Sequence, residues 1–315
     1  MLHKILELFS RKLAEESLTF RNVGDERAKI LLEKAIEEAS DETVYGRIAA
    51  LISSGARNVH ALERLKSYAS RSIDTLRYQS RQGSFDSIYF ERKFSHAGLK
   101  GTIDRCDEAV TPEGLFLDVI DYKSGNKSFD PDRIYYGLDI QLPLYMNAAL
   151  QMRAASSGGR IVRPAGLFYY HVDDPVIEGA RGSTEEEITE GIRKELRLRG
   201  VVNSDIAAVK AFDSEIAERG RSVVIPVGFK KDGGYEAAAK VYTEDELFSL
   251  MDHSIKLTKE LREEITGGNV SRSPYSLGNS TGCDYCAYRD ICDGGRRRRL
   301  AKHDFPAAWN MQKPE

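Results

Sequence analysis

Apolar side chains return every three or four positions along the first eighty residues. Leu2, Ile5, Leu6, Phe9 and Leu13 form one stripe, which is the spacing of an amphipathic helix. The same period predicts helices around 26–39, 43–53 and 59–80, with Gly55 as a break. Beyond residue 80 the rhythm becomes that of strands. SIYFERKFS, GLKGTIDRCDEAV and LFLDVIDYKSG read as three strands in a meander. The third is central, because Leu115, Phe116, Leu117, Val119 and Ile120 make a nearly continuous apolar run. A helix is expected from about 137 to 154 and an apolar strand at roughly 165–172. Residues 184–220 are charged and predict a helical insertion on a solvated face. VVIPVGF reads as a further strand, and EDELFSLMDHSIKLTKELREEI as a helix with Leu247, Leu250, Met251, Leu257, Leu261 and Ile265 on one side. From Gly267 onward the chain is loop-like. Three stretches result: a helical part over 1–80, mixed strands and helices over 81–266, and a cysteine-bearing segment over 267–315.

With 315 residues, the chain can bury a substantial core. Its 41% hydrophobic and 30% charged content is that of a globular protein. A net charge of -3 leaves any polyanion-binding surface to a local patch. No apolar run approaches the roughly 18 residues of a membrane helix. The amphipathic start, MLHKILELFSRKLAEE, is unlike a signal peptide, so a cytoplasmic location is expected.

One short stretch concentrates the chemistry. Asp121 and Lys123, two apart in a strand, point to the same face at the end of a buried run. If Asp104 lies on the neighbouring strand, two carboxylates can converge on a hard cation such as Mg²⁺, with Lys123 as a fixed positive charge beside it. That combination suits phosphodiester hydrolysis. The same residues taken alone would make an ordinary strand-end ion pair; what flanks them moves the reading.

GTIDRCDEA, VIDYKSG, YYGLDIQLPLYMNAAL and LFYYHVDD, in this order, resemble the RecB-type branch of the PD-(D/E)XK nucleases, and within it the AddB-like helicase/nuclease subunits. The resemblance covers residues 1 to about 300. It implies an α/β fold, a mixed central β-sheet flanked by helices. It also implies that Asp104 and Asp121 hold Mg²⁺ or Mn²⁺ together with His3 and the Tyr122 carbonyl, and that Lys123 is the catalytic lysine. Gln141 and Tyr145 match a Q-x-x-x-Y motif. At i and i+4 they share a helix face and would help to position DNA. Glu91 matches an acidic position on the preceding strand, with a role in support of the site or of the fold. Pro143 is expected either in the first turn of its helix or at a kink. The implied activity is exonucleolytic cutting of single-stranded DNA ends, fed by an AddA-type helicase partner, in recombinational repair.

Of the four cysteines, Cys283, Cys286 and Cys292 fall within ten residues as C-x2-C-x5-C, the pattern of a metal or iron–sulfur site. Zinc would fit thiolates. The resemblance implies a structural [4Fe–4S] cluster whose fourth thiolate lies upstream of the helix that opens this chain. The chain thus reads as an excised nuclease domain with the cluster incomplete or absent, and Cys106 as a small core residue. Arg296 to Arg299, with Arg289 and Lys302, would either contact phosphates or form a solvated charge run. GNKS lacks the remainder of a phosphate-binding loop. Two alternative readings are a stand-alone iron–sulfur exonuclease of the CRISPR-adaptation type and a non-catalytic module that binds DNA or a partner.

Overall fold

The computed structural model describes residues 2–40, 55–96, 98–123, 125, 127–172, 175, 184–292 and 298–301. The helix expected at 43–53 lies outside them. The chain divides into two compact units, Met1–Phe129 with Tyr145–Leu247, and Asp130–Leu144 with Phe248–Glu315.

The first unit opens with three helices: α1 (Leu2–Glu15), α2 (Asp25–Ser40) and α3 (Ala56–Gln82). Three long strands follow, β1 (Asp86–His96), β2 (Leu99–Thr111) and β3 (Gly114–Lys123), antiparallel in sequence order. Next along the chain come the short helix α4 (Pro131–Tyr135), which belongs to the second unit, α5 (Gln141–Ala154), whose first turn does too, and β4 (Val162–His171), the last parallel to β3. A parallel neighbour needs a crossover, and α4 and α5 lie within it. The sheet ends with β5 (Arg199–Asn203) and β6 (Val241–Tyr242), in the order β1-β2-β3-β4-β5-β6. β3 is therefore internal, as its apolar run predicts, and Leu115, Phe116, Leu117 and Val119 are fully buried.

Helices α1 to α3 cover one face of this sheet. Ile5, Phe9, Leu31, Ile73 and Leu76 share a core with Phe116, Ile120, Tyr122, Phe168 and Tyr170. The layering follows from the helical stripe meeting alternate residues of the strands.

Three sequence expectations change. The helix expected from about 137 to 154 begins later, at Gln141, because Gly137 turns left-handed at φ +75 and Pro143 suits only the first turn of a helix. Of 184–220, only α6 (Glu185–Glu195) is the expected solvated helix. Beyond it β5 pairs with β4, burying Val201 and Val202, and α7 (Ile206–Phe212) and α8 (Ile216–Arg219) follow. VVIPVGF is no strand. Its Val224, Ile225 and Val227 are buried, yet Pro226 has no N–H to offer a ladder, and Val227 N instead closes a tight turn on the Ile225 carbonyl at 2.8 Å.

In the second unit, His253 of α9 (Glu244–Thr266) stacks on Tyr135 with ring centroids 5.0 Å apart, and its Nε2 donates to the Tyr135 carbonyl at 2.9 Å. Leu247, Leu250 and Met251 are buried as the stripe predicts, whereas Ile265 is 75% exposed. A small sheet of β7 (Tyr275–Leu277), β8 (Ser280–Thr281) and β9 (Arg298–Arg299) carries the cysteine segment. No helix among the described residues is long and apolar enough to cross a membrane.

Candidate active site

Strand register assembles the site. Arg105 pairs with Phe90 on one side and Ile120 on the other, so its neighbour Asp104 falls opposite Glu91 of β1 and Asp121 of β3. Asp121 in turn pairs with Tyr169 of β4. Directly opposed residues share a face, which makes Glu91, Asp104, Asp121 and Tyr169 one row across four strands. Lys123 lies two residues beyond Asp121 and is on the same face.

The ladder loosens at this row. The Tyr122 N–H donates to Asp104 Oδ2 at 2.9 Å instead of to a backbone carbonyl. Because N–H and C=O of one strand residue point to the same neighbour, the Tyr122 carbonyl faces the Asp104 side as well. Glu91 adopts φ +44, a left-handed conformation uncommon outside glycine and asparagine. His3 arrives from the start of α1. Its Nδ1 is 3.8 Å from Asp104 Oδ2, and its ring meets Tyr122 edge-on at 5.7 Å.

Among the described residues, one group of three metal-ligating side chains converges, His3, Glu91 and Asp104, with ligand atoms all within 4.8 Å of one another. The acids are held in a state that a cation would relieve. Burial, then the charges of Asp104 and Glu7, push Glu91 up to about 7. Burial also raises Asp104 against the opposing pull of the Tyr122 N–H, His3 and Lys123. Asp121 is raised by burial and by Asp104, with the Lys123 hydrogen bond pulling the other way. A histidine with two or three crowded carboxylates fits a divalent ion.

Lys123 Nζ lies 2.5 Å from Asp121 Oδ2 and 6.0 Å from the Tyr169 ring centroid. Lys127 sits nearer that ring, at 5.0 Å, and its carbonyl accepts from His171 Nε2 at 2.6 Å. Sequence reasoning did not single out Lys127, Tyr169 or His171. The pattern LFYYHVDD carries the last two, although nothing in its spacing separates them from core residues.

Tyr145 of α5 packs edge-to-face on Phe94 of β1 at 5.7 Å. Gly101 makes the room, since a Cβ there would come within 2.7 Å of the Phe94 ring. Gln141 is one helical turn earlier, in the first turn of α5, within the segment that belongs to the second unit.

Behind the row is a buried polar knot. Arg105 forks onto Asp107 at 2.7 and 2.6 Å, and its guanidinium covers the Phe20 ring at 4.8 Å. Asp118 Oδ1 accepts the Asp107 N–H at 3.2 Å. Burial and the Asp107 charge push Asp118 well above the carboxylate range, with Arg105 pulling the other way.

Cys106 is fully buried, and the same burial raises its thiol well above the ordinary value. Cys283, Cys286 and Cys292 occupy successive turns, with Cys286 N donating to the Cys283 carbonyl at 3.3 Å and Cys292 N to that of Tyr288 at 2.9 Å. Their thiols do not converge as the carboxylates do. A four-thiolate cluster is thus not formed among the described residues. Arg289, Arg298 and Arg299 are exposed, whereas Arg296, Arg297 and Lys302 lie outside the described residues.

The model of the PD-(D/E)XK nuclease superfamily matches residues 1–293. The B subunit of the ATP-dependent helicase/deoxyribonuclease of Lachnoclostridium phytofermentans is 32% identical over 100% of this chain and 28% of its own length. The protein of the same name in Clostridioides difficile is 34% identical over 92% of this chain and 26% of its own. The chain thus spans about a quarter of the length of these relatives. Acidic groups on adjoining strands with an Asp-x-Lys at the central strand's end, on a mixed sheet walled by helices, agree with that match, and the chain belongs to the PD-(D/E)XK nuclease superfamily.

Proposed function

We propose that this chain is a metal-dependent deoxyribonuclease module that hydrolyses phosphodiester bonds at single-stranded DNA ends. The observation that carries the reading is the row Glu91, Asp104 and Asp121, with His3 at one end and Lys123 beside it. His3, Asp104, Asp121 and the Tyr122 carbonyl would hold Mg²⁺ or Mn²⁺, with Glu91 as a further carboxylate. Such an ion, when bound, lowers the pKa of a nearby water and offsets phosphoryl charge.

The chain's own groups do the rest. Asp121 orients the Lys123 ammonium, which donates to a non-bridging phosphate oxygen as negative charge accumulates there. Asp104 is kept in place by the Tyr122 N–H, so the carboxylate row is set before substrate arrives. Tyr145 and Gln141, on one face of α5, would position the strand. In a longer parent protein the module would work in the cytoplasm with a helicase partner of the AddA type, at double-strand breaks during recombinational repair. Cys283, Cys286 and Cys292 would supply three thiolates of a structural [4Fe–4S] centre completed by another donor.

Digestion of labelled single-stranded DNA with Mg²⁺ or Mn²⁺ tests this. Asp121→Ala and Lys123→Ala should each lower the rate by about 10²-fold or more, the scale of losing one preorganised charge-stabilising group, with an unchanged circular dichroism spectrum. Equal cutting by all three proteins would place the chemistry elsewhere.

A further inference from the structure

A groove of about 610 Å³ opens in the first unit between α3, α6 and the turn at Ser222. None of its lining residues belongs to the acidic row. Its walls carry Tyr78, Arg193, Lys194, Arg197 and Arg221. Arg221 is paired with Glu236 at 2.6 Å, but Arg193, Lys194 and Arg197 form no ion pair among the described residues. Arg197 is fixed from behind, its Nε donating to the Lys194 carbonyl and its Nη1 to that of Ser222, both at 3.2 Å. Burial and the neighbouring Arg221 lower Arg197 from its ordinary value, with the Glu195 charge pulling the other way. The Arg193 guanidinium lies 3.9 Å from the Tyr78 ring centroid, a close cation–π stack.

Two features of the groove have ordinary explanations. Arg193 and Lys194 stand in the last turn of α6, where cations complement the helix dipole. That does not account for Arg197 and Arg221, which lie outside the helix and face the same space. Glu187 also lines the groove, but its carboxylate is turned back to accept the Thr184 N–H of the capping box. Glu187 and Glu190 are thus two acids against three cations that have no ion-pair partner among the described residues.

Strand register places the start of β5 at the end of the sheet that carries the acidic row. Arg199, the first residue of β5, pairs with Tyr169, and Tyr169 pairs with Asp121. Two inter-strand steps of ~5 Å each separate Asp121 from Arg199. Arg197, two residues before Arg199, is thus at the same end of the sheet as the carboxylates.

We propose that this groove binds the phosphate backbone of a single DNA strand whose end is presented to the acidic row, with Tyr78 and Arg193 as a stacking platform for one base. The proposal rests on the nuclease reading for its choice of ligand. A phosphate chain supplies closely spaced anions, and its bases supply flat faces for the aromatic–guanidinium pair.

Fluorescence anisotropy of a labelled single-stranded oligonucleotide, with the 315-residue chain in EDTA, measures binding without cutting. Arg193→Glu combined with Lys194→Glu should weaken binding about tenfold or more, and should flatten the plot of log affinity against log salt by about 1.4, about 0.7 for each phosphate no longer neutralised. Tyr78→Ala should weaken binding about fivefold or more with the salt slope retained. Circular dichroism checks that each variant is folded, and a folded double variant with wild-type affinity and slope would overturn the proposal. So would displacement of the DNA by poly-glutamate at equal charge concentration, which would mark the groove as a surface for acidic proteins. Failure of the nuclease reading shows separately, as a wild type that cuts nothing with Mg²⁺ or Mn²⁺ while the binding measurements still respond.

Discussion

Glu91 combines two properties that are rare in one strand residue, a left-handed backbone and a carboxyl raised to about 7. A carboxyl whose pKa rises from its ordinary 4.5 to about 7 on folding holds its proton more tightly in the folded state. Stability therefore falls as pH rises from about 4.5 to about 7, and levels off above that. Asp104 and Asp121 shift in the same direction and add to the slope. In metal-free protein, thermal melts should show a lower Tm at pH 8 than at pH 5, and Glu91→Gln should reduce the difference. Mg²⁺ should recover the loss at pH 8 because it replaces the missing protons. The knot behind the row makes a second residue-scale expectation. Asp107→Ala leaves the buried Arg105 guanidinium without its partner and should cost about 3–5 kcal/mol in urea melts. Asp118→Asn should be close to neutral, since burial and the Asp107 charge favour the uncharged form and an amide oxygen can still accept the Asp107 N–H. From the sequence, Asp104, Asp121 and Lys123 stand out by spacing. His3 does not, because one histidine on an amphipathic stripe has no local signature, and only the likeness to a nuclease family drew attention to it. The left-handed turn at Glu91 is equally silent, since no residue type in YFERKF announces it.

At the scale of elements, legibility followed periodicity. The α1 stripe and the apolar run of β3 are long and regular, and both elements lie where the pattern puts them. Shorter elements were set by tertiary pairing. Arg199–Asn203 is five residues long at the end of a charged helix, and only its partner β4 makes it a strand. VVIPVGF has strand composition, but its proline breaks the ladder and the segment packs as a buried turn. The β4–β5 pairing is also close. A Cβ on Gly200 would come within 1.9 Å of the Leu167 carbonyl oxygen, and backbone cannot give way there. Gly200→Ala should therefore destabilise by about 1–3 kcal/mol or more and speed amide exchange in β5, as read by hydrogen-exchange mass spectrometry.

For the whole molecule, sheet and cysteine segment serve separate ends. The carboxylate row is built from β1 to β3 and α1, all in the first unit, and the three clustered cysteines belong to the second. In protein carrying the proposed iron–sulfur centre, Cys286→Ser should raise protease sensitivity between Gly267 and Cys292, while the thermal shift on adding Mg²⁺ persists. The architecture of helices on a mixed sheet was readable from the order of patterns, whereas the division into two units was not. Asp130–Leu144 joins the second unit by folding with residues more than a hundred positions away, and no local period encodes that.

The acidic row owes its existence to register alone. Side chains alternate with a period of two, so a slip of one residue between β2 and β3 would turn Asp104 away from Asp121 and set Arg105 in its place. The pairing of β1, β2 and β3 in this register is what gathers these charges. A chain in which these three strands are unpaired, or unzipped by heat, would consequently lack the site on which the proposed cutting depends.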